Sequence, residues 1–450
     1  MVRTFAALQP SPCLAIRALP VALALLAPFG VGAAGLTIED AIRAAWQDNP
    51  GLAASAAGVE AARSEATAAR EAWLPTLALT ARGIGTDEPM TAFGLRLDQQ
   101  RITQADFAPA RLNAPAFIGG IGVGAGLSMP LYVGGRISAG RRASSAQAEA
   151  EADAHDHRRQ EMARSVVEAY FATEAASQGV QYAEDQLQSA RETERFVRER
   201  NRQGLVLDAD LARATAFRAQ AEAERAAALQ GLASARSALA LLAGEEAGQA
   251  ELTTPFDVRG SFPAAEGTRA AERSDLQAAR SRVDAAQNGV VAARAGLLPQ
   301  VLAQASVETM RSDFDQGATW GTVALVARWQ FGLPDLRATQ AARARARAAE
   351  ESLHWQELQA RREVDEARRA VETAGLRVAS AREAVWASES ARSLRQARHR
   401  QGLLPLTDVL DAEAGLALAR SLWLHSRLEA RVARAQLDLA LGQPVEGVKP

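Results

Sequence analysis

Hydrophobic residues recur along this chain with two periods, and each change of period marks a change between helix and strand. A period near 3.6 residues predicts α-helices over 37–46, 52–73, 136–202 and 210–243. Strict alternation predicts β-strands over 76–85 and 117–131, because successive side chains of a strand point to opposite faces. The segment 136–202 would be about 100 Å long as one helix, so it must pack lengthwise against other helices.

Each predicted strand presents two unlike faces. The apolar face carries Leu77, Leu79 and Ala81 in the first strand and Ile121, Val123, Ala125 and Leu127 in the second. The opposite face carries Thr76, Thr80 and Arg82 in the first strand and Gly120, Gly122, Gly124 and Gly126 in the second. Residues 86–115 between the strands have no clear period, and we expect them to form a long loop.

The chain contains two copies of this layout. Residues 276–307 align without gaps on 52–83, so that Pro299 falls on Pro75 at an offset of 224. Past the loop the offset is 198, which makes the first loop about 26 residues longer than the second (224 − 198 = 26). A surface turn tolerates such a length change.

The second copy accordingly predicts strands near 300–309 and 319–331 and a second helical hairpin. The first hairpin turns near Gly204, in RNRQGLVLDAD, and the second near Gly402, in RHRQGLLPLTD. Glycine is the residue that most often ends a helix, because it adopts the left-handed conformation without strain. The alignment therefore predicts two equivalent tips.

These patterns divide the chain into a signal peptide, two structural repeats, a connector and a tail. Arg3 and Arg17, an apolar run and the small residues at 32–34 indicate a cleaved secretory signal, since the run is short for a membrane anchor. The predicted segments are 1–34 (signal peptide), 35–243 (first repeat), 244–268 (connector), 269–442 (second repeat) and 443–450 (short tail).

Composition excludes several classes of function. The net charge is −2 and basic residues are interspersed with acidic ones, so no nucleic-acid partner is expected. Cys13 is the only cysteine. His155 and His157 point to different sides of a helix, so no metal site is predicted. The GxGxxA match at 120–125 lies on a strand face and does not indicate a dinucleotide site. No catalytic motif is present, and we predict a protein without enzymatic activity or cofactors.

Four strands cannot close a membrane barrel by themselves, because outer-membrane barrels begin at about eight strands. The chain must either associate with copies of itself or use the strands as a soluble sheet. Aromatic residues at the strand ends nearest the helices favour a membrane interface over simple capping of a soluble sheet. These residues are Trp73, Tyr132, Trp329 and Phe331.

With this layout the chain resembles the TolC family of outer-membrane efflux and secretion channels. The resemblance rests on the duplication, the Leu-Pro pairs at 74–75 and 298–299, the segment MPLYVGGR at 129–136 and the two QGL tips. One departure is FGLPDLR at 331–337, which lacks the paired glycines Gly134 and Gly135 of the first copy.

The resemblance implies a mainly α fold with a membrane β-barrel, in the outer membrane of a Gram-negative bacterium. Three copies would each contribute four strands to a 12-stranded transmembrane barrel, and the helical hairpins would form a periplasmic α-barrel tunnel. The expected partners are further copies of the chain, a periplasmic adaptor, an inner-membrane pump and outer-membrane lipid. The passive conduit would serve tripartite efflux or type I secretion.

The tips carry the candidate functional residues. Asp408 and Asp411 lie three apart near a helix start, and Asp210 is the counterpart of Asp408, with Asp208 beside it. Acids also suit a helix N-terminus, where they stabilise the dipole. The resemblance favours a ring of these acids at a periplasmic constriction that selects cations. It also assigns adaptor contact to Gly204, Leu205, Val206, Gly402, Leu403 and Leu404.

The alternative function is a periplasmic coiled-coil adaptor or scaffold without a pore. A channel partitions with the membrane and conducts ions, whereas an adaptor does neither. The sequence leaves drug, metal-ion and protein export open as the cargo.

Overall fold

The structure is a computed structural model that describes residues 35–256, 273–312, 317–330 and 332–449. The predicted signal peptide, part of the predicted connector and Phe331 lie outside these ranges. The helices are α1 Ile38–Asp48, α2 Pro50–Glu71, α3 Pro89–Asp98, α4 Pro109–Asn113, α5 Arg136–Arg202, α6 Asp208–Ala243, α7 Glu245–Gln249, α8 Ser274–Arg294, α9 Leu333–Arg400 and α10 Leu406–Ala440. The strands are β1 Thr76–Thr86, β2 Ile118–Tyr132, β3 Gln300–Arg311 and β4 Gly317–Arg328.

The four strands form one antiparallel sheet in the order β1-β2-β3-β4. The two copies therefore meet at the β2–β3 pair, where Ala125 lies opposite Val307. The register of all three pairs places the apolar positions on one face, from Leu79 in β1 to Leu325 in β4. Their side chains are 77% and 69% exposed, so this face has no covering layer in the single chain.

The two long helices run side by side with their partners in the hairpins. Helix α5 has 67 residues and α9 has 68, and α6 and α10 return along them. Helix α5 also contacts α2, α8 and α10, so it lies at the junction of the two copies. The two hairpins thus form one layer of long helices, which run antiparallel within each hairpin.

The main hydrophobic core lies where α1, α5 and α6 meet. Tyr170 and Phe171 are fully buried there, with their rings 5.2 Å apart in an edge-to-face arrangement. The hydroxyl of Tyr170 donates to the carbonyl of Leu36 at 2.7 Å and accepts from the backbone N–H groups of Thr253 and Thr254. This tyrosine fastens the segment after α7 to the start of the described chain.

The expectation of a plain loop over 86–115 is wrong. This segment forms α3, a 3-10 turn at Gln104–Phe107 and α4. Pro89 and Pro109 occupy the first turns of α3 and α4, where proline fits because its missing N–H would have no helical partner. Both helices are too short to show a hydrophobic period. Packing of Ala92 and Leu95 on the sheet stabilises α3, and α4 contacts α3 and the 3-10 turn.

Helix α6 is the one described helix that is long and apolar enough, by composition, to cross a membrane. Only 11% of its most apolar 18-residue stretch is buried in the single chain. Its first half forms ion pairs with the charged helix α5, including Arg225 with Glu184 at 2.9 Å. We therefore assign α6 to the helical layer. Its alanine-rich face is exposed in the single chain.

Candidate functional site: the hairpin tips and the polar face of the sheet

The two hairpin tips have the same backbone geometry. At the first tip, Gly204 has φ of 70° and the N–H of Leu205 donates to the carbonyl of Arg200 at 2.9 Å. At the second tip, Gly402 has φ of 76° and the N–H of Leu403 donates to the carbonyl of Arg398 at 2.9 Å. This pattern is the Schellman ending of a helix, which needs a left-handed residue after the last turn. Both QGL motifs therefore act as helix stops.

The tips lie side by side at one end of the molecule. Val197 and Ala214 of the first hairpin pack on Leu406 of the second, and all three side chains are buried. The rings of Phe196 and His399 are 5.8 Å apart in an edge-to-face contact. Leu205 and Leu403 point away from this cluster and are 62% and 68% exposed. The end of the molecule thus presents exposed apolar side chains, which include Leu207 at 72% exposure, above a buried apolar cluster.

The acidic candidates lie in the first turns after the tips. Asp208 is exposed and accepts a hydrogen bond from the side chain of Asn201 at 2.9 Å. Asp210 and Asp408 are half-buried and Asp411 is exposed. None of these four carboxylates is in an ion pair among the residues that the structure describes. Nor does any of them serve as a side-chain N-cap, since Leu207 and Pro405 occupy those positions.

A buried polar cluster joins the two hairpins a short distance from the tips. The Glu413 carboxylate in α10 is 4% exposed and accepts hydrogen bonds from Ser189 of α5 at 2.6 Å, Arg392 of α9 at 2.9 Å and Gln396 at 2.6 Å. Sequence analysis missed this junction. The available signal was a charge on the buried stripe of α10, next to Val409, Ala412 and Leu416.

The face of the sheet opposite the apolar one carries polar groups. Arg82 of β1 and Glu308 of β3 form an ion pair at 3.3 Å across β2. Strands two apart are separated by about 9.5 Å, so the intervening residues must be small. Gly122 and Gly124 supply that space: a Cβ on Gly124 would lie 3.1 Å from Cγ of Glu308.

The aromatic candidates lie where the sheet meets the helices. Tyr132 ends β2 and is 46% exposed, and Trp73 is half-buried just before β1. Trp329 follows β4 directly, is 66% exposed and donates to the carbonyl of Leu297 at 3.2 Å. β4 ends at Arg328, so Trp329 lies beyond the strand.

No group of His, Cys, Asp and Glu with the geometry of a metal site occurs in the described part of the chain.

The chain is similar to outer-membrane channels over most of its length. The sequence model of the family "Outer membrane efflux protein" matches residues 41–245 and 268–443. No curated protein sequence gives a significant match.

Three solved structures illustrate the similarity of fold. A membrane protein from Pseudomonas aeruginosa is 23% identical with a TM-score of 0.78, and the match covers 91% of each chain. VceC, an outer membrane protein from Vibrio cholerae, is 21% identical with a TM-score of 0.75, covering 91% of this chain and 96% of its own. The CmeC outer membrane channel of Campylobacter jejuni is 17% identical with a TM-score of 0.80, covering 92% and 86%.

These matches confirm the predicted resemblance and give no support to the alternative of a pore-free adaptor. Because the family model covers most of its length, the chain belongs to the outer membrane efflux protein family, whose members are passive outer-membrane channels that extend into the periplasm and are not enzymes.

Proposed function

We propose that three copies of the chain form one efflux duct that meets a periplasmic adaptor and an inner-membrane pump at its tips. The observation that carries this proposal is a pair of matching open edges. In the described residues β1 pairs only with β2, and β4 pairs only with β3. Unpaired strand edges are stable in a membrane only when another strand closes them.

The helical layer has open edges on the same two sides. β1 follows α2 and β4 precedes α9, so each sheet edge continues into a helix at the edge of its layer. One rotation that brings β4 of one copy beside β1 of the next therefore also brings together helices of the two layers. A heterologous contact of this kind closes into a ring when the successive rotations add up to one full turn, which is 120° per copy for three copies.

The size of the barrel favours three copies over two. Two copies would give eight strands, and side chains alone nearly fill a barrel of that size. Here α3 also lies on the polar face of each sheet, through Ala92 and Leu95. Twelve strands leave room for this helix and for a water-filled lumen, with Leu79 and Leu325 directed to lipid and Thr80, Arg82, Gln304, Ser306 and Glu308 to water.

The native mass of the protein in detergent tests the assembly. We expect three copies per particle and discrete single-channel conductance in planar bilayers. A soluble monomer without detergent would refute both the ring and the lipid-facing role of the apolar face.

The acidic residues at the tips would give the periplasmic entrance its charge selectivity. Three-fold symmetry would bring three copies of Asp408 and Asp411 together, with Asp208 and Asp210 in the neighbouring turn. Charges about 6 Å apart repel by about 3 kcal/mol at an effective dielectric constant of ~20, so the ring would attract cations. We expect the double variant Asp408→Asn with Asp411→Asn to lose cation selectivity, measured as the reversal potential in a salt gradient.

Glu60→Gln with Glu65→Gln is the matched control, because it also removes two charges, from exposed positions on α2 far from the tips. Equal reversal potentials for the double variant and the control would exclude the acidic ring. The remaining tip residues, Gly204, Leu205, Val206, Gly402, Leu403 and Leu404, would form the adaptor contact, in which the exposed leucines pack on the partner. Trp73, Tyr132, Trp329 and Phe331 would form the periplasmic aromatic girdle of the barrel.

A further inference from the structure

The segment between β1 and β2 is much longer than its counterpart in the second copy. It comprises 31 residues (87–117), whereas 5 residues (312–316) join β3 to β4. We call residues 87–117 the collar. It lies at the end of the sheet remote from the long helices, which is the extracellular end in the proposed duct.

The collar folds over the polar face of the sheet. Ala92 and Leu95 of α3 form a buried cluster with Ile118 and Met310, against which Ile84 and Trp320 pack. The strand register places all four sheet residues on the face of Arg82 and Glu308: Ile84 lies opposite Gly120, Met310 opposite Gly122 and Trp320 opposite Glu308. The other face carries the exposed side chains of Leu79, Val123 and Leu325, which are directed to lipid in the proposed duct, so the collar lies on the lumen side.

The collar packs closely on a glycine of the polar face of β2, Gly120. Gln99, at the end of α3, is fully buried and donates from Nε2 to the carbonyl of Gly119 at 2.8 Å. A Cβ on Gly120 would lie 2.5 Å from Nε2 of Gln99 and 3.2 Å from Sδ of Met310. Only a residue without a side chain allows this close approach. The contact with Gln99 thus explains why a glycine occupies position 120.

The collar has its own internal support, so it is a fixed part rather than a mobile lid. Asp106 is 5% exposed and accepts hydrogen bonds from the backbone N–H of Thr103 at 2.8 Å and its hydroxyl at 2.7 Å. It also forms an ion pair with Arg96 at 3.2 Å. The rings of Phe93 and Phe107 are 5.8 Å apart, edge to face. A buried carboxylate satisfied in this way holds the two halves of the collar together.

We propose that the collar narrows the extracellular end of the pore and sets an upper limit on the size of solutes that pass there. The proposal rests on the pore of the proposed function. Each copy contributes one collar, so the exit is constricted by a different segment from the one at the tips.

Thiol labelling from outside intact cells tests this proposal. Cys13 is the only cysteine, so Cys13→Ser with Gln304→Cys gives a chain whose only thiol lies on the polar face, beyond the collar. Ala110→Cys in the same background places the thiol on the exposed surface of the collar itself. The probes are a small methanethiosulfonate and maleimide–polyethylene glycols of increasing mass.

We expect Gln304→Cys to react with the small reagent and to lose labelling by the larger reagents, whereas Ala110→Cys reacts with all of them. Shortening the collar by 26 residues, to the length of the β3–β4 connection, should restore labelling of Gln304→Cys by the large reagents. The same size limit with and without the collar would overturn the inference. If Gln304→Cys reacts with no reagent in either form, the polar face does not line a pore, and the proposed function fails as well.

A pair of single substitutions covers a failure of the shortened chain to assemble. Gly120→Ala places a methyl group against Gln99 and should raise the size limit at Gln304→Cys. Gly119→Ala is the matched control, because its Cβ would meet only the carbonyl of Ile84, at 3.5 Å, on the opposite face. Equal size limits for the two variants would show that the close contact at Gly120 does not hold the collar in place.

Discussion

Replacing Glu413 by alanine should separate the two hairpins near the tips. The substitution removes the acceptor shared by Ser189, Arg392 and Gln396, which belong to α5 and α9. Removing one partner of a buried ion pair costs about 3–5 kcal/mol, because the other partner is left without compensation. The side chain of Arg392 is 30% exposed, so water stabilises part of its charge. We therefore expect a loss near the lower limit, about 3 kcal/mol.

Glu389→Ala provides the matched control in the same hairpin. Glu389 pairs with Arg420 at 3.0 Å, but its side chain is 47% exposed. Exposed pairs contribute about 0.2–1 kcal/mol, so the control should lose far less stability than Glu413→Ala. Denaturant unfolding of the purified channel in detergent measures both free energies of unfolding. Equal losses for the two variants would refute the structural role assigned to the buried cluster.

A double-mutant cycle separates the junction from general damage to the fold. Ser189→Ala, Glu413→Ala and the combined variant should show a coupling energy of about 0.5–3 kcal/mol, since these residues share a hydrogen bond. Glu413 lies seven residues into α10, about 10 Å from the tip. Loosening this contact should let the hairpins move apart, and we expect a higher single-channel conductance for Glu413→Ala than for Glu389→Ala.

Three further predictions concern stability and the tips. The pKa of Asp438 is raised to about 6, mainly by burial and also by the nearby charge of Glu446, whereas Arg434 acts in the opposite direction. The folded protein therefore favours the neutral carboxyl group, and this stabilisation is lost as pH rises through 6. At pH 8, Asp438→Asn should increase the free energy of unfolding by up to about 3 kcal/mol, which is measured as a higher melting temperature, and at pH 4 it should have little effect. Gly402→Ala should destabilise the second hairpin by about 1 kcal/mol because of its positive φ, whereas Gly415→Ala, inside α10, should stabilise it by a similar amount; denaturant unfolding distinguishes the two signs. Leu403→Ser should weaken binding of the adaptor, measured by pull-down from detergent extracts, without changing conductance.

The sequence was sufficient for those features whose signal is local. The tips could be predicted because a glycine in a repeated QGL motif must end a helix, and Gly204 and Gly402 do so with the same hydrogen bonds. The two faces of the sheet could be predicted because alternation is a property of each strand by itself. The pairing of β2 with β3 has no such signal, since it depends on how the two copies meet.

Features that depend on distant partners could not be predicted. Helix α3 has only ten residues, and its packing partners Ile118 and Met310 come from two different strands. The Glu413 cluster joins residues more than 200 positions apart, so the carboxylate alone looks like one more solvent-exposed charge on a helix. Its position on the apolar stripe of α10 was the only local sign that it is buried.

The two copies are alike at the periplasmic tips of the channel and differ at its outer end. At the tips both copies keep the same turn, and α5 of the first hairpin contacts α10 of the second through the buried hydrogen bond from Ser189 to Glu413. At the outer end one copy has a connection of 5 residues, whereas the other carries the 31-residue collar. A sheet with one long and one short connection leaves space above β4 that the collar of the same chain reaches through Trp320. Divergence of a single loop could therefore change the exit without disturbing either the strand register or the helical layer, which the two copies share.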